Sequence, residues 1–273
     1  MLIAQLSDLH IRADGRPAYG IVDTAGMLAA CVVQLQRLDP QPDAVLVTGD
    51  LADHGRPADY ALLRELLAPL AMPLFLLPGN HDEREALRAA FPGPRFDHLS
   101  QESGFVQYAV DLGPLRLLAL DTVVPQQGHG VLCAQRLDWL ERRLAEDPRP
   151  AIVAMHHPPF ATGIAHMDAI GLLQGAAELD AILRSHPQVE RVLCGHLHRA
   201  IQARFGGTLA STCPSPAHQI ALDLRAGAPD CFTLEPPGYQ LHAWRGGRLV
   251  THTVVLGDWP GPYRFCEDAP PAH

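Results

Sequence analysis

The sequence predicts an α/β fold finished by antiparallel strands, on three observations. Short apolar runs alternate with helical patterns over the first two hundred residues. Five of those runs end in Asp, Asn or His. After about Gly195 the texture changes to short alternating segments broken by Gly and Pro. With 273 residues, 47% hydrophobic and 19% charged, the chain can build one large domain around an ordinary core.

The runs Leu2–Leu6, Ala44–Thr48, Leu74–Leu77, Leu115–Leu120, Ala151–Met155 and Arg191–Cys194 are mostly apolar and short, as expected of strands covered on both faces. Between them Ile21–Leu38, Asp59–Leu70, Glu83–Ala90, Ala134–Glu146 and Gly175–Ser185 carry helical periodicity. The segments Gln219–Leu224, Cys231–Glu235, Tyr239–Trp244 and Arg248–Val255 read as antiparallel strands completing a sheet. No repeat or low-complexity linker divides the chain. One catalytic domain is expected over residues 1–256, followed by a Pro-rich, acidic tail over 257–273 to which no structure is assigned.

Charge and termini narrow the function classes. Twenty-one basic against 30 acidic residues leave a formal charge of -9, which disfavours a nucleic-acid polymer or an anionic membrane as partner. Every basic residue is Arg, and Asn occurs once, at Asn80. An Asn kept in so biased a composition is a suspect for chemistry. The N-terminal MLIAQLSDLH lacks a charged segment, and Leu66–Pro78 is broken by Pro69 and Pro73, so neither a signal peptide nor a membrane span is expected. The six cysteines (Cys31, Cys133, Cys194, Cys213, Cys231, Cys266) show no CxxC spacing and read as small buried hydrophobes in a reducing, cytoplasmic compartment.

The strand ends carry the chemistry. Asp8-Leu9-His10 follows the first run, Asp50 the second, Asn80-His81-Asp82 the third, His156-His157 the fifth and His196-Leu197-His198 the sixth. In an open α/β sheet, ligands bind outside the carboxyl ends of the strands. In extended backbone, side chains two apart share a face, so Asp8 and His10, and likewise His196 and His198, are expected to reach a common centre. Gly49, Gly79 and Gly195 precede candidate ligands where the chain must turn. Each block alone is weak: a DxH is common, a GD is usually a turn, an HH can be surface. Five in this order, each after a strand, are not coincidence. Asp8, His10, Asp50, Asn80, His156, His196 and His198 are too many ligands for one ion that keeps an open position. Two divalent ions sharing Asp50 fit better, and carboxylate with imidazole but no thiolate suits Mn, Fe, Zn or Co.

DxH, GDxxD (Gly49 to Asp53), GNHD, HH and GHxH in this order resemble the calcineurin-like metallophosphoesterase superfamily, across residues 8 to 198. The HHPPF segment from His156 resembles its bacterial class III cyclic-nucleotide phosphodiesterase and glycerophosphodiesterase branch. Tyr19-Gly20 and Gly55-Arg56-Pro57 are similar to the glycerophosphodiesterases, and EPPGYQLHAW to the cyclic-nucleotide enzymes. The resemblance implies a four-layer αββα sandwich with a binuclear centre. Asp8, His10, Asp50 and His198 would hold one metal, and Asp50, Asn80, His156 and His196 the other. His81 would face the phosphate as a catalytic residue, Asp53 would support the site, and Asn80, His81, Tyr19 and His218 would touch substrate. The implied reaction is hydrolysis of a small phosphodiester, such as 3',5'-cAMP or a glycerophosphodiester, by in-line attack of a metal-bridging hydroxide. His81 would stabilise or protonate the leaving side.

Other histidines are expected to be packed or solvated: His54, His98, His166, His186, His242, His252 and His273. His157 and His129 are candidates for the mouth of the site, and the three tryptophans are expected in core or interface. The same centre would serve a broad phosphomonoesterase, and a non-catalytic metal-binding scaffold for protein interaction is the alternative of another class. A scaffold is expected to lose ligands, and all seven are present. A homodimer or larger homo-oligomer is a further expectation of the resemblance.

Overall fold

The computed structural model describes residues 1–265. In chain order the elements are β1 (Leu2–Leu6), α1 (Thr24–Gln36), β2 (Ala44–Thr48), α2 (Pro57–Leu67), β3 (Leu74–Leu77) and α3 (Arg84–Ala90). A 3₁₀ segment at Pro94–Ser100 leads to β4 (Tyr108–Asp111), β5 (Arg116–Leu120), β6 (Gly130–Val131), α4 (Ala134–Ala145) and β7 (Ala151–Met155). Then come α5 (Ala165–Asp168), β8 (Leu172–Gln174), α6 (Ala176–Ser185), β9 (Val189–Cys194), β10 (Gln202–Phe205) and β11 (Thr208–Thr212). The last strands are β12 (Gln219–Ile220), β13 (Phe232–Thr233), β14 (Gly238–Arg245) and β15 (Arg248–Val255).

Two sheets form the centre, in the orders β15-β14-β1-β2-β3 and β10-β11-β9-β7-β5-β4. Strand alternation shows how they stack. In β7, Ala151, Val153 and Met155 pack with Leu137, Leu140 and Leu144 of α4 and Leu179 and Leu183 of α6. Ile152 and Ala154 face the other way, into the core shared with β1–β3 and with Leu28 and Leu35 of α1 and Leu63 and Leu67 of α2. β5 and β9 split the same way. Both faces of each central strand are therefore covered, which is why those runs are continuously apolar. The layers are helix, sheet, sheet, helix, the αββα sandwich expected.

The differences from expectation have local causes. α1 begins at Thr24, not Ile21, because the Asp23 carboxylate accepts from Gly26 N at 2.9 Å and caps the helix there. α2 begins at Pro57, a residue suited to a first helical turn, and ends before Pro69. β14 and β15 finish the first sheet, with β14 antiparallel to β1 (Leu2 opposite Ala243). Gln219–Leu224 and Cys231–Glu235 do not: only Gln219 and Ile220 pair with Thr233 and Phe232, in a separate ribbon. β4, β10 and β11 were not expected. Cys31, Cys194 and Cys213 are buried as thiols, but Cys133 is half-buried and Cys231 exposed, against the expectation for all six. Residues 257–265 carry no helix or strand. Cys266, His273 and the rest of the expected tail lie outside the described residues. Among the described residues, no helix is long and apolar enough to cross a membrane.

His98 is packed rather than solvated. It sits edge-on to Phe75 and Tyr108, and burial pushes its imidazole down from 6.5 to about 4. Between those values the unfolded chain binds a proton that the folded chain excludes. Its contribution is therefore present above pH 6.5 and lost as pH falls, by roughly 3 kcal/mol near pH 4. Urea titrations at pH 7 and pH 4 are expected to show wild type losing more stability than His98→Phe.

Candidate metal centre

Seven non-glycine residues have positive φ among the described residues: Asp8, His10, Tyr19, Asp50, Gln126, His196 and His198, between 46° and 72°. All lie at the carboxyl edge of the two sheets. Such backbone costs of order 1–3 kcal/mol per residue and persists where the surroundings impose it, commonly at functional sites. These angles correct one expectation. Asp8, His10, His196 and His198 lie beyond the strand ends in left-handed backbone, so the pleat does not align them. They converge because each loop turns back over the sheet edge. His10 N–H donates to Asp50 O at 2.9 Å, and His196 N–H donates to Asp8 Oδ1 at 3.0 Å.

Two sets of donor atoms result, one shared. In the first, His10 Nε2 lies 3.3 Å from His198 Nε2, His198 Nε2 3.6 Å from Asp8 Oδ1, and His10 Nε2 3.6 Å from Asp50 Oδ2. In the second, Asn80 Oδ1 lies 3.1 Å from both His156 Nε2 and His196 Nδ1, and His156 Nε2 lies 3.4 Å from Asp50 Oδ2. Asp50 Oδ2 faces both sets, while its Oδ1 accepts from His81 N at 2.9 Å. All seven residues predicted as ligands thus gather here, and Asp8, His10, His198, Asp50, His156 and His196 fall in groups able to hold an ion.

The ring orientations test whether cations fit. His10 Nδ1 faces Asp53 Oδ1 at 3.1 Å, His156 Nδ1 faces Thr48 O at 2.8 Å, and His198 Nδ1 faces His218 O at 3.0 Å. These oxygens only accept, so each Nδ1 carries a proton and each ring, when neutral, turns a bare Nε2 inward. Bare nitrogens facing one another, a carboxylate and an amide oxygen are repulsive unless a cation lies among them. The donor set fits divalent metal. Without a metal a proton takes that place at His156: burial opposes a charge on the ring, but the Asp50 carboxylate outweighs it and raises the imidazole to about 9. Burial, partly offset by His156, lifts Asp8 to about 6.

Other residues hold the ligands in place. Asp53 accepts from His10 with one oxygen and from Arg12 Nη1 at 3.2 Å with the other. Its carbonyl lies 2.9 Å from His81 Nδ1. The buried Asp82 carboxylate accepts from Leu51 N, Ala52 N, Gly79 N and Tyr60 Oη, all at 2.8–3.0 Å. It ties the Asp50 loop to the Asn80 loop. Only the presence of an acid inside GNHD hinted at it. Of the three glycines expected at turns, Gly49 has the left-handed φ, 94°. Gly79 is required by close approach instead: a Cβ there would meet Asp50 N at 2.3 Å. Gly79→Ala is expected to cost at least about 1–3 kcal/mol in a denaturant melt and to lower metal content.

The mouth differs in part from expectation. His218 packs against His198, with ring centroids 4.4 Å apart, and its buried Nδ1 has no partner. The half-exposed Tyr19 packs on His218 at 5.2 Å and on Phe232 at 5.0 Å. His81 stands edge-on to His10 at 4.6 Å, its side chain 35% exposed. His157 is not available to a substrate. Thr122 Oγ1 at 2.7 Å and Gly128 O at 3.1 Å occupy both its nitrogens, making it an anchor for the loop that follows β5. From the Gln126–Gly130 run, Gln126 rather than His129 lines the cleft beside Asn80 and His81.

The model of the calcineurin-like phosphoesterase family matches residues 1–200. A probable glycerophosphodiester phosphodiesterase of Arcobacter nitrofigilis is 37% identical over 97% of each chain. A 3',5'-cyclic adenosine monophosphate phosphodiesterase of Pseudomonas aeruginosa is 36% identical over 94% of this chain and 91% of its own. Among solved structures, a dimetal phosphatase from Danio rerio superposes with a TM-score of 0.65 at 16% identity, over 94% of this chain and 99% of that one. That last likeness concerns the fold.

Proposed function

Because this chain belongs to the calcineurin-like phosphoesterase family, we propose that the strand-end cluster is a two-metal centre for the hydrolysis of small phosphodiesters. The enzyme is a metal-dependent phosphodiester hydrolase, as its relatives named for glycerophosphodiesters and cyclic AMP support. Asp8, His10, Asp50 and His198 would hold one ion, and Asp50, Asn80, His156 and His196 the other. The observation that carries this is Asp50 Oδ2, placed 3.6 Å and 3.4 Å from a bare nitrogen of each set. When bound, the ions supply a water acidified toward neutral pH and positive charge against the phosphate oxygens. A donor set of carboxylate, amide and imidazole suits Mn, Fe, Zn or Co.

The chain's own groups do the rest. With Oδ1 directed at the second set, Asn80 has its amide N–H free for a phosphate oxygen. His81, its Nδ1–H held by the Asp53 carbonyl, turns Nε2 to the substrate and exchanges a proton there with the leaving oxygen or stabilises charge on the phosphoryl group. Tyr19 and His218 flank the opposite side. Among the described residues, the five cysteines are free thiols, which fits a reducing, cytoplasmic compartment. The free edge of the eight-residue strand β15 is the surface on which a second copy would pair.

The test compares bis(4-nitrophenyl) phosphate with 4-nitrophenyl phosphate after chelator stripping and Mn²⁺ reloading. Diester turnover is expected to vanish without metal, to return with it, and to exceed monoester turnover. A preference for the monoester would assign a phosphatase, and two bound ions without turnover of either ester would assign a scaffold.

A further inference from the structure

A buried polar chain runs between the two sheets and ends at the metal centre. β1 turns Gln5 toward the second sheet, and the residue is fully buried. Gln5 Nε2 donates to Thr48 Oγ1 at 2.9 Å and to Cys194 O at 3.0 Å. Thr48 is the last residue of β2 and Cys194 the last of β9, so one amide fastens the end of a strand in each sheet. Gln5 Oε1 faces His242 Nε2 at 3.0 Å, and His242 Nδ1 faces Thr251 Oγ1 at 2.9 Å, on which Arg191 Nη1 converges at 3.3 Å. The carbonyl of Cys194 only accepts, which fixes the amide. Its NH₂ group points to the strand ends and its oxygen to His242, whose Nε2 carries the proton. Burial and Arg191 push the His242 imidazole down to about 3, so the ring is neutral. The Thr48 hydroxyl gives its own proton to Leu6 O at 3.3 Å. Both amide protons are thereby used, and the bonds have one arrangement.

Beyond the two fastened strand ends lies the second donor set. Thr48 leads through Gly49 to Asp50, and Thr48 O accepts from His156 Nδ1 at 2.8 Å. Cys194 leads through Gly195 to His196, and the N–H of that same Cys194–Gly195 peptide donates to His156 O at 2.9 Å. Three of the four ligands of that set, Asp50, His156 and His196, therefore hang from the two residues that Gln5 joins. The strand ends are in close contact, since a Cβ at Gly195 would meet Thr48 O at 2.6 Å. In the first set, His10 Nδ1 is fixed by Asp53 and His198 Nδ1 by the His218 carbonyl, neither of which Gln5 reaches. Apolar groups of the same shape at positions 5 and 242 would cost little stability, so packing alone does not call for the amide. We propose that Gln5 is a positioning residue, a clasp between β2 and β9 that sets the spacing of Asp50, His156 and His196 and with it the affinity of the second ion. The inference rests on the two-metal reading, because the clasp acts on the second donor set.

The test is titration of chelator-stripped protein with Mn²⁺, the free ion read by electron paramagnetic resonance, beside thermal melts by circular dichroism. Wild type is expected to bind two ions. Gln5→Met keeps the length of the side chain and leaves Cys194 O bonded to Cys213 N at 3.0 Å, but strands His242 Nε2–H. His242→Phe strands Gln5 Oε1 and leaves the clasp closed. Both variants break the same hydrogen bond, so comparable losses of melting temperature are expected. Only Gln5→Met is expected to weaken the second ion, by roughly tenfold or more, the scale of a lost outer partner of a metal ligand, with the first ion unchanged. The double variant Gln5→Met/His242→Phe removes both stranded groups. It is expected to regain melting temperature but not second-ion affinity, and it carries the test if Gln5→Met alone does not fold. Two ions held as in wild type by Gln5→Met or the double variant overturn the clasp. An equal loss in His242→Phe also overturns it, marking a general loosening of the sandwich. Fewer than two ions in wild type overturn the two-metal reading and the clasp with it. Turnover of bis(4-nitrophenyl) phosphate by wild type, measured alongside, separates the reaction from the clasp. Two ions and the expected split between variants, without turnover, overturn the reaction and leave the clasp standing.

Discussion

His81→Ala is expected to lower kcat for diester hydrolysis by roughly 10²–10⁴-fold, the scale of a lost general acid or charge-stabilising group, while both metal equivalents stay bound. The geometry separates the two effects. His81 contributes no atom to either donor set; its ring stands outside them, 4.6 Å from the His10 ring. Its backbone N–H, which donates to Asp50 Oδ1, survives the substitution, so the shared carboxylate keeps its orientation. Only the imidazole is lost, and with it the one group whose Nε2 is free to meet the substrate. Metal analysis beside steady-state kinetics checks this. A variant that loses metal as well as activity would make His81 a structural prop, and one that keeps most of its kcat would remove it from the chemistry.

Asp50→Asn is expected to fail differently, by losing at least one of the two metal equivalents and about 10³-fold or more of the activity. Lewis-acid stabilisation by a bound ion contributes several kcal/mol, and each 1.36 kcal/mol is tenfold in rate. The substitution is nearly isosteric, so it tests charge rather than packing. Burial alone would raise the Asp50 carboxyl, but His156 and His81 hold it well below the usual carboxylate range. It is thus an anion with one oxygen directed at both sets. An amide in its place cannot serve two cations. Metal stoichiometry by mass spectrometry, with circular dichroism to verify folding, reads the outcome. Two equivalents retained with full activity would exclude the bridging role.

The ligand blocks were legible because each is local: an apolar run, a turn, then a residue able to bind metal. All five runs are strands, and Leu2–Leu6, Ala44–Thr48, Leu74–Leu77 and Ala151–Met155 agree to the residue. The i, i+2 argument reached the right residues by the wrong geometry, since left-handed backbone at Asp8 and His198 is imposed by the loops packed above them. What stayed illegible is non-local. Asp82 draws its donors from residues about thirty positions away as well as from Gly79. His157 becomes an anchor only when Thr122 and Gly128 are folded beside it. The paired strands β10 and β11 were missed although Gly206-Gly207 between them is a hairpin signal. Their runs are only four and five residues long.

The two donor sets draw on both sheets, and His10 meets His198 across 188 residues of sequence. No nascent or half-folded chain can present either set complete. Asp8, His10, Asp50 and Asn80 emerge first, but His156, His196 and His198 join them only after β7 and β9 have entered the second sheet and that sheet has docked on the first. Contacts so distant in sequence form late in folding. A complete donor set therefore exists only once the sandwich has closed, and an ion held there would report that closure. Because binding free energy adds to folding free energy, any ion held there would stabilise the closed sandwich over its open or half-folded forms.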